Sequence, residues 1–392
     1  MCELASATKR SSSKFGKGED LRPVDFRSMV RVIVDDVLKK DSTPSKKFVA
    51  KVAEQCVKKY PLLRDKFNTV TLGTGYDNLA YRLYTRVENV RRKPNSCQDS
   101  PPVKKRRVQI DSYGCTAFEP LLPEDISVDE LLAKKGILQH LSMSDGADRA
   151  IELLKETYYL QRMAINKNVP MEELMMNCPI LFTERGIEAH SHLLTDIKLT
   201  DVLQNTVLSK AESLLSFFRS HSRKDVRAFM VELDMNICSP NELLLLVLGL
   251  AKHFDESTEA VFFIDEVFNP HNPHPNLPKY PCLVGKGISL MQCEEFMLTI
   301  DGVAVNSSIR DITMAVASWF ASYSFFNCVY PAEFACTLEF FQRCFVGINP
   351  ASGSKAERRV GKKFHRGVHP KILNLLKKVN EFDSWVNDMR HK

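Results

Sequence analysis

Residues 91–108 read RRKPNSCQDSPPVKKRRV, and this stretch separates two parts of the chain that differ in charge and hydrophobic pattern. Its prolines and small polar residues favour extended, exposed backbone, whereas apolar residues recur at helical spacing on both sides of it. The chain has 392 residues, of which 44% are hydrophobic, so it can form more than one core. The sequence therefore predicts a short N-terminal module and a larger domain, joined by an open linker.

The charge of the chain is divided in a related way. Residues 1–110 carry 25 lysines and arginines against 12 acidic residues, residues 111–354 carry 18 against 32, and residues 355–392 carry 11 against 4. The net charges are therefore +13, −14 and +7, although the whole chain has a formal charge of only +6. Basic ends around an acidic middle indicate that the ends face polyanions, while the middle faces water or a basic partner.

The N-terminal part predicts a disordered polar tail over 1–21 and a basic module of three helices over 22–93. The first helix runs from Asp25 to Lys40. The second follows Thr43 and Pro44, which fit a helix cap with proline at the first helical position, and it ends before Pro61. A glycine-containing loop then leads into the third helix, at about 76–93.

The third helix has one apolar face and one cationic face. At about 100° per residue, the side opposite the apolar stripe holds Arg82, Arg86, Asn89 and Lys93. Cations neutralise phosphates, and arginine or asparagine can reach base edges, so this face suits nucleic-acid binding. Three short helices with a basic third one resemble helix-turn-helix or Myb-like modules in outline. The alternative is a solvated basic face on a domain that binds an acidic protein.

The linker, predicted over 94–145, contains the most specific short motif of the chain. Lys104, Lys105, Arg106 and Arg107 follow two prolines, and an import receptor binds successive cations in extended backbone. The sequence therefore predicts a monopartite nuclear import signal. A bipartite signal that includes Arg91–Lys93 and an incidental basic linker are the two alternatives.

The rest of the chain predicts a mainly α-helical domain over 146–350, with a small antiparallel β insertion at about 259–305. Leu243–Ala251 is apolar on every side and much shorter than the ~20 residues of a membrane span, so it should form a buried helix. Asp301-Gly302 lies between two β-rich runs and indicates a hairpin. A basic linker at 351–369 and an amphipathic helix at 370–392 complete the expected domain order.

Two groups of short segments resemble the sterile alpha motif domain-containing protein 3-like proteins, a vertebrate set with many fish members. The stronger group is Tyr323–Pro331, Thr337–Arg343, Ile348–Pro350 and Gly353–Lys355, and the second is Lys59–Leu63, Gly73–Tyr76 and Arg91–Lys93. The likeness covers about 25–93 and 146–355. This chain shows no recognisable sterile alpha motif domain, which removes the inference of head-to-tail oligomers. The resemblance thus implies a similar architecture and no particular reaction.

Two further patterns contain residue types that can carry chemistry. His271 and His274 are spaced as a ligand pair, but their proline-rich setting favours an exposed turn over a zinc site. Asp265 with Glu294 or Glu295 could hold the paired metal ions of a nuclease, yet the spacing is not diagnostic. We therefore predict no catalytic residue, no metal site and no cofactor.

The 11 cysteines are spread singly, without a Cys-x-x-Cys pair. The first 20 residues also lack the apolar core of a secretory signal, so reduced thiols in the cytosol or nucleus fit best. Cys328, Cys336 and Cys344 recur at a spacing that places them near one helical face, where a free cysteine usually acts as a small buried apolar group.

These patterns together predict a nuclear, non-enzymatic protein that binds nucleic acid or associates with chromatin as an adaptor. The expected partners are nucleic acid, an import receptor, and another protein or a second copy bound through residues 146–350, with no membrane. One alternative is a protein-interaction scaffold whose basic module binds an acidic partner. The other is an enzyme remnant of a mobile element that uses Asp265 and Glu294 or Glu295.

Overall fold

The computed structural model describes residues 23–67, 70–91, 120–122, 126–141, 143–235, 241–267, 269–271, 276–349 and 368–390. These residues form two compact units. The first unit contains the described residues up to 91, Asn349 and residues 368–376, and the second contains residues 120–348 and 377–390 within the same ranges.

The first unit consists of three helices, a two-stranded ribbon and the beginning of a further helix. Its elements up to residue 91 are α1 (Pro23–Lys40), α2 (Lys46–Lys59), a 3₁₀ turn (Pro61–Leu63), β1 (Lys66–Phe67), β2 (Val70–Thr71) and α3 (Asp77–Arg91). The cap predicted at Thr43 is wrong, because the amide of Thr43 donates to Asp41 Oδ1 at 2.8 Å. Ser45 caps α2 instead, with its Oγ accepting from the amide of Phe48 at 3.2 Å.

Buried side chains at helical spacing hold the three helices together. They are Met29, Val30, Ile33, Val34, Val37, Val49, Ala53, Val57, Leu63, Leu79, Leu83 and Val87. The apolar stripe expected on the third helix is therefore the face that packs against α1 and α2. Burying one such aliphatic side chain contributes roughly 1.5–3 kcal/mol before the entropy of ordering the chain is subtracted.

A tight loop between β2 and α3 fixes where α3 begins. Gly73 and Gly75 have φ angles of +55° and +78°, which residues with a Cβ rarely adopt. The amide of Asp65 donates to the carbonyl oxygen of Gly75 at 2.9 Å. The amide of Leu72 donates to the carbonyl oxygen of Asp65, also at 2.9 Å. The Asp65 carboxylate accepts from the amide of Asn78 at 2.8 Å, so a residue that precedes the ribbon caps α3.

The second unit is a larger assembly of helices with one four-stranded sheet. Its longer described elements are α4 (Val128–His140), α5 (Met143–Glu156), α6 (Tyr158–Asn166), α7 (Met171–Asn177), a 3₁₀ turn (Pro179–Phe182), α8 (Glu184–Thr195), α9 (Leu199–Arg219), α10 (Lys224–Met235), α11 (Glu242–Phe254), β3 (Phe262–Asp265), β4 (Cys282–Lys286), β5 (Phe296–Ile300), β6 (Val303–Ile309), α12 (Ile312–Phe325), α13 (Ala335–Phe340) and a π-helix (Phe341–Val346). Two short 3₁₀ turns, Thr258–Ala260 and Leu290–Gln292, accompany the strands. The predicted mainly α fold with a small sheet is confirmed.

The last described helix, α14 (Pro370–Arg390), contributes to both units, since residues 370–376 belong to the first and residues 377–390 to the second. Its buried residues include Ile372, Leu375 and Val379, which follow the amphipathic pattern predicted for this helix. Within the described residues, no helix combines the length and the apolar character needed to cross a bilayer.

The sheet has the strand order β3-β4-β5-β6 and is mixed. β4 pairs antiparallel with β5, and β5 pairs antiparallel with β6 across the predicted turn at Asp301-Gly302. β3 and β4 are parallel, with Phe262 opposite Leu283, so the prediction of a wholly antiparallel sheet is wrong for this pair. The segment between β3 and β4 is long enough for the crossover that parallel strands require.

Two apolar helices lie in the core of the second unit. Every residue from Leu243 to Ala251 in α11 is buried, as the sequence predicts, and so is every residue from Ala315 to Phe325 in α12. Trp319 Nε1 and Tyr323 Oη both donate to the carbonyl oxygen of Pro281, at 3.0 and 2.9 Å. These two bonds attach α12 to the residue that precedes β4.

Candidate functional site

The cationic face predicted on the third helix exists on α3. Arg82, Arg86 and Asn89 lie on the side opposite the buried Leu83 and Val87. Arg82 and Arg86 are half-buried, whereas Asn89 is exposed. Lys93, the fourth residue of the predicted set, lies outside the described residues. The arrangement is thus a recessed basic surface on α3.

This surface forms part of a groove within the first unit, which we call the basic groove. The basic groove encloses about 590 Å³ and is lined by residues of α1, α3 and the start of α14. The lining residues are Phe26, Arg27, Val30, Arg31, Asn78, Tyr81, Arg82, Thr85, Arg86, Asn89, Pro370, Lys371, Leu373 and Asn374. Arg82, Arg86 and Asn89 therefore lie in one concave site.

The charge of the basic groove has one sign. Arg27, Arg31, Arg82, Arg86 and Lys371 all line it, and none of the described residues that line it is acidic. Like charges that line one groove create a positive potential, which attracts anions and raises their local concentration. The amides of the lining asparagines and the Tyr81 ring add hydrogen-bonding and stacking groups to this surface.

The side chain of Arg82 is held in a defined position. Its Nε donates to Asn78 Oδ1 at 2.8 Å, and its guanidinium carbon lies 5.3 Å from the centre of the Phe26 ring. A planar guanidinium that is stacked and hydrogen-bonded loses little further entropy when it binds an oxyanion with its terminal nitrogens. The guanidinium group of Arg82 is therefore held in a defined position in the groove.

The side chain of Arg86 contains an unpaired donor. Its Nε is buried, and no atom of the described residues accepts a hydrogen bond from it. A buried donor without a partner costs about 1–3 kcal/mol, so such groups in proteins usually have a functional or solvent partner. Arg86 also lines the basic groove, so this buried donor belongs to a side chain of the candidate site.

Asp65 caps the start of α3, the helix that carries Arg82 and Arg86. The desolvation caused by burial raises the pKa of Asp65 to about 7, although its bond from the Asn78 amide and the nearby charge of Arg82 act in the opposite direction. Asp65 is 8% exposed and does not line the groove. Its role is to fix the first turn of α3, which carries Asn78 and, one turn later, Arg82.

Three lining cations were not among the predicted site residues. Arg27 and Arg31 are one helical turn apart on α1 and exposed, so their i, i+4 spacing was a usable signal for a cationic face. Lys371 comes from the other end of the chain, and no local pattern connects it with α3. The predicted import residues, Lys104 to Arg107, lie outside the described residues.

Asp265 and Glu295, two of the three carboxylates predicted as possible metal ligands, have local partners. Asp265 Oδ1 accepts from the amide of Val267 at 2.9 Å, and Glu295 Oε2 lies 3.0 Å from Lys286 Nζ. Within the described part of the chain, no group of three His, Cys, Asp or Glu side chains could hold a metal ion. His274 lies outside that part.

The three cysteines of the C-terminal region occupy structural positions. Cys336 and Cys344 are buried and Cys328 is half-buried. Burial raises the pKa of the Cys344 thiol, which keeps it protonated at neutral pH. The backbone around Cys344 is also fixed, since Lys210 Nζ donates to the Cys344 carbonyl oxygen at 2.7 Å and Thr206 Oγ1 donates to that of Phe345 at 2.9 Å.

Comparison of the chain with protein-family models, curated proteins and solved structures finds no match. The resemblance to the sterile alpha motif domain-containing protein 3-like proteins therefore stays a prediction. The site is defined by its own geometry, as a concave groove in which every charged residue of the described lining is cationic and in which Arg82 is held in place.

Proposed function

We propose that this chain is a nuclear, non-enzymatic adaptor whose first unit binds nucleic acid in the basic groove. The observation that carries the proposal is the convergence of five cations from three segments, with no acidic residue among the described lining residues. Nucleic acids present a dense row of phosphates, and contacts from Lys and Arg to these phosphates supply most of the sequence-independent affinity. The second unit serves as the surface for another protein or for a second copy.

The recessed position of Arg82 and Arg86 supports phosphate binding more than reading of a major groove. A recognition helix needs a protruding face to reach base edges, whereas these two residues are half-buried between α1 and α14. The exposed Arg27, Arg31 and Lys371 extend the positive surface beyond them. The expected complex is therefore governed by backbone charge, with the amides of Asn78, Asn89 and Asn374 as secondary contacts.

The first experiment compares the full-length chain with two double variants that each remove two positive charges. Arg31→Ala with Arg86→Ala removes two groove cations, whereas Lys47→Ala with Lys51→Ala removes two exposed cations of α2 that do not line the groove. Binding to a fluorescent DNA duplex and to a single strand is measured by anisotropy between about 50 and about 200 mM salt. The full chain is required because residues 370–374 line the groove.

We expect the groove variant to bind the duplex at least about tenfold more weakly than the unchanged protein. The slope of log K against log salt concentration should also become less steep by about 1.8, because two phosphate contacts are lost. The α2 variant should bind nearly as tightly as the unchanged protein. Equal losses in both variants, or binding that does not respond to salt, would contradict the proposal. Capture of an acidic protein that survives nuclease treatment and depends on Arg31 and Arg86 would support the scaffold alternative instead.

A further inference from the structure

The second unit contains a separate cavity, which we call the α4–α7 pocket. It encloses about 280 Å³ and is lined by residues of α4, α6, α7 and the 3₁₀ turn that follows α7. Leu138, Leu160, Met163, Leu174 and Leu181 form most of its wall. A concave site with mainly apolar walls and a few polar groups is the usual form of a small-molecule site.

The polar side chains deep in this pocket are already satisfied. Thr157 Oγ1 donates to the Leu153 carbonyl oxygen at 2.7 Å, and Gln161 Nε2 donates to that of Leu154 at 2.6 Å. Asn177 Oδ1 accepts from Gln139 Nε2 at 3.0 Å. These groups have no strong need for a polar ligand, so the interior of the pocket should be matched best by an apolar one.

Two lysines give the pocket a positive edge. Lys135 is half-buried and Lys167 is exposed, and neither forms an ion pair with any of the described residues. Lys134, the neighbour of Lys135, does not line the pocket and pairs with Glu156 at 2.8 Å. Glu173 is the one acidic residue among the described lining residues, and it is exposed. The balance of charge therefore favours an anionic group on the ligand.

Cys178 is a buried residue of the pocket lining. Burial raises the pKa of the Cys178 thiol to about 11, while the charge of Lys135 opposes this shift. Lys135 and Cys178 both line the pocket. An anion held by Lys135 would lie next to the leucine wall.

We propose that the α4–α7 pocket binds a small amphiphile, namely a medium-chain carboxylate whose acyl chain contacts the leucine wall and whose head pairs with Lys135 or Lys167. At about 30 Å³ per water, the pocket has the volume of about nine waters, which matches a ligand of about ten non-hydrogen atoms. Octanoate has this size. The proposal is independent of nucleic-acid binding, because it concerns a different unit.

The test measures binding of octanoate to the full-length protein by titration calorimetry, with acetate and octan-1-ol as ligands that keep only the head or only the chain. A ligand of this size is expected to bind with a Kd of about 0.1–1 mM and a stoichiometry near one. Acetate and octan-1-ol should each bind at least about tenfold more weakly, since each lacks one of the two matched features.

Three variants locate the site. Lys135→Met with Lys167→Met removes the positive edge and keeps apolar bulk. Ala164→Phe fills the pocket. Lys134→Met with Lys155→Met is the control, because it makes the same change of charge outside the pocket. The first two should weaken octanoate binding at least about tenfold, and the control should leave it within about twofold.

Three results would overturn the proposal. One is the absence of octanoate binding to the unchanged, folded protein. Another is full affinity in the Lys135→Met, Lys167→Met variant, which would mean that no anion is recognised. The third is full affinity in a folded Ala164→Phe variant, which would place the binding site elsewhere.

Discussion

Gly186 lies in the first turn of α8, after the helix cap formed by Thr183, whose Oγ1 accepts from the Gly186 amide at 3.1 Å. A Cβ at this position would meet the Ile180 carbonyl oxygen far inside van der Waals contact. That carbonyl belongs to the 3₁₀ turn before α8 and already accepts from Thr183 Oγ1 at 2.7 Å. The glycine is therefore required by close packing of backbone against backbone.

We predict that Gly186→Ala destabilises the second unit by about 1–3 kcal/mol, the usual cost of forcing extra volume into a packed site. Gly136→Ala is the matched control, since Gly136 is also helical and a Cβ there meets no atom within 4 Å. The control should gain about 0.5–1 kcal/mol from helix propensity. Denaturant unfolding of the two variants measures both effects, and a neutral or stabilised Gly186→Ala protein would show that the turn can move.

At the scale of elements, α3 illustrates what local sequence can establish. Its apolar stripe and its cationic face follow from helical periodicity, and the structure places Arg82, Arg86 and Asn89 on that face. Helical periodicity in α3 does not predict which residues of α1 and α14 line the other sides of the basic groove. Arg31 becomes a neighbour only when α1 packs on α3, and Lys371 only through a contact between distant parts of the chain.

The four-stranded sheet and the π-helix that follows α13 also contain features that local sequence does not predict. The hairpin of β5 and β6 is signalled by its two-residue turn, but the parallel pairing of β3 with β4 depends on a crossover that no local pattern encodes. The π-helix over Phe341–Val346 contacts α9, whose Lys210 and Thr206 side chains donate to the carbonyl oxygens of Cys344 and Phe345. Elements that are determined by remote partners could therefore not be predicted from the sequence.

The start of α3 gives a pH-dependent prediction. Because the pKa of Asp65 is raised from 3.8 to about 7 in the folded protein, the folded state holds a proton that the unfolded chain has lost between these values. The stability of the first unit should therefore fall as pH rises from about 4 to about 7, by a few kcal/mol at most, and then level off.

Asp65→Asn tests this dependence, since asparagine keeps an oxygen that can accept from the Asn78 amide and has no titrating carboxyl. Urea midpoints at about pH 5 and about pH 8 should differ less in Asp65→Asn than in the unchanged protein. Asp35→Asn, at an exposed position of α1, is the control and should keep the full difference. An unchanged pH dependence in Asp65→Asn would assign the effect to other groups.

At the scale of the whole molecule, the chain combines two unlike surfaces. The first unit has a groove that is wholly cationic among its described lining residues, and the second has an apolar pocket with two lysines at its edge. The sequence adds a third feature, the basic run at Lys104–Arg107. Under the proposed function, the basic run would bring the chain to the nucleus, where the basic groove would meet nucleic acid.

We predict that replacing Lys104, Lys105, Arg106 and Arg107 with alanine keeps a full-length fluorescent fusion out of the nucleus, because an import receptor needs successive cations. Replacing Arg358, Arg359, Lys362 and Lys363 removes the same charge from the C-terminal basic region and should leave the fusion nuclear. Fluorescence imaging of the two variants measures how much of each fusion is in the nucleus. Nuclear accumulation of the first variant, or its loss in the second alone, would show that a different segment directs import.

The segments that line the basic groove are translated at different times. The lining residues on α1 and α3 are translated first, whereas Pro370, Lys371, Leu373 and Asn374 are translated much later. A nascent chain, or a product of premature termination, therefore carries the arginines without the wall that encloses them. The groove described here therefore requires a polypeptide that extends at least through residue 374.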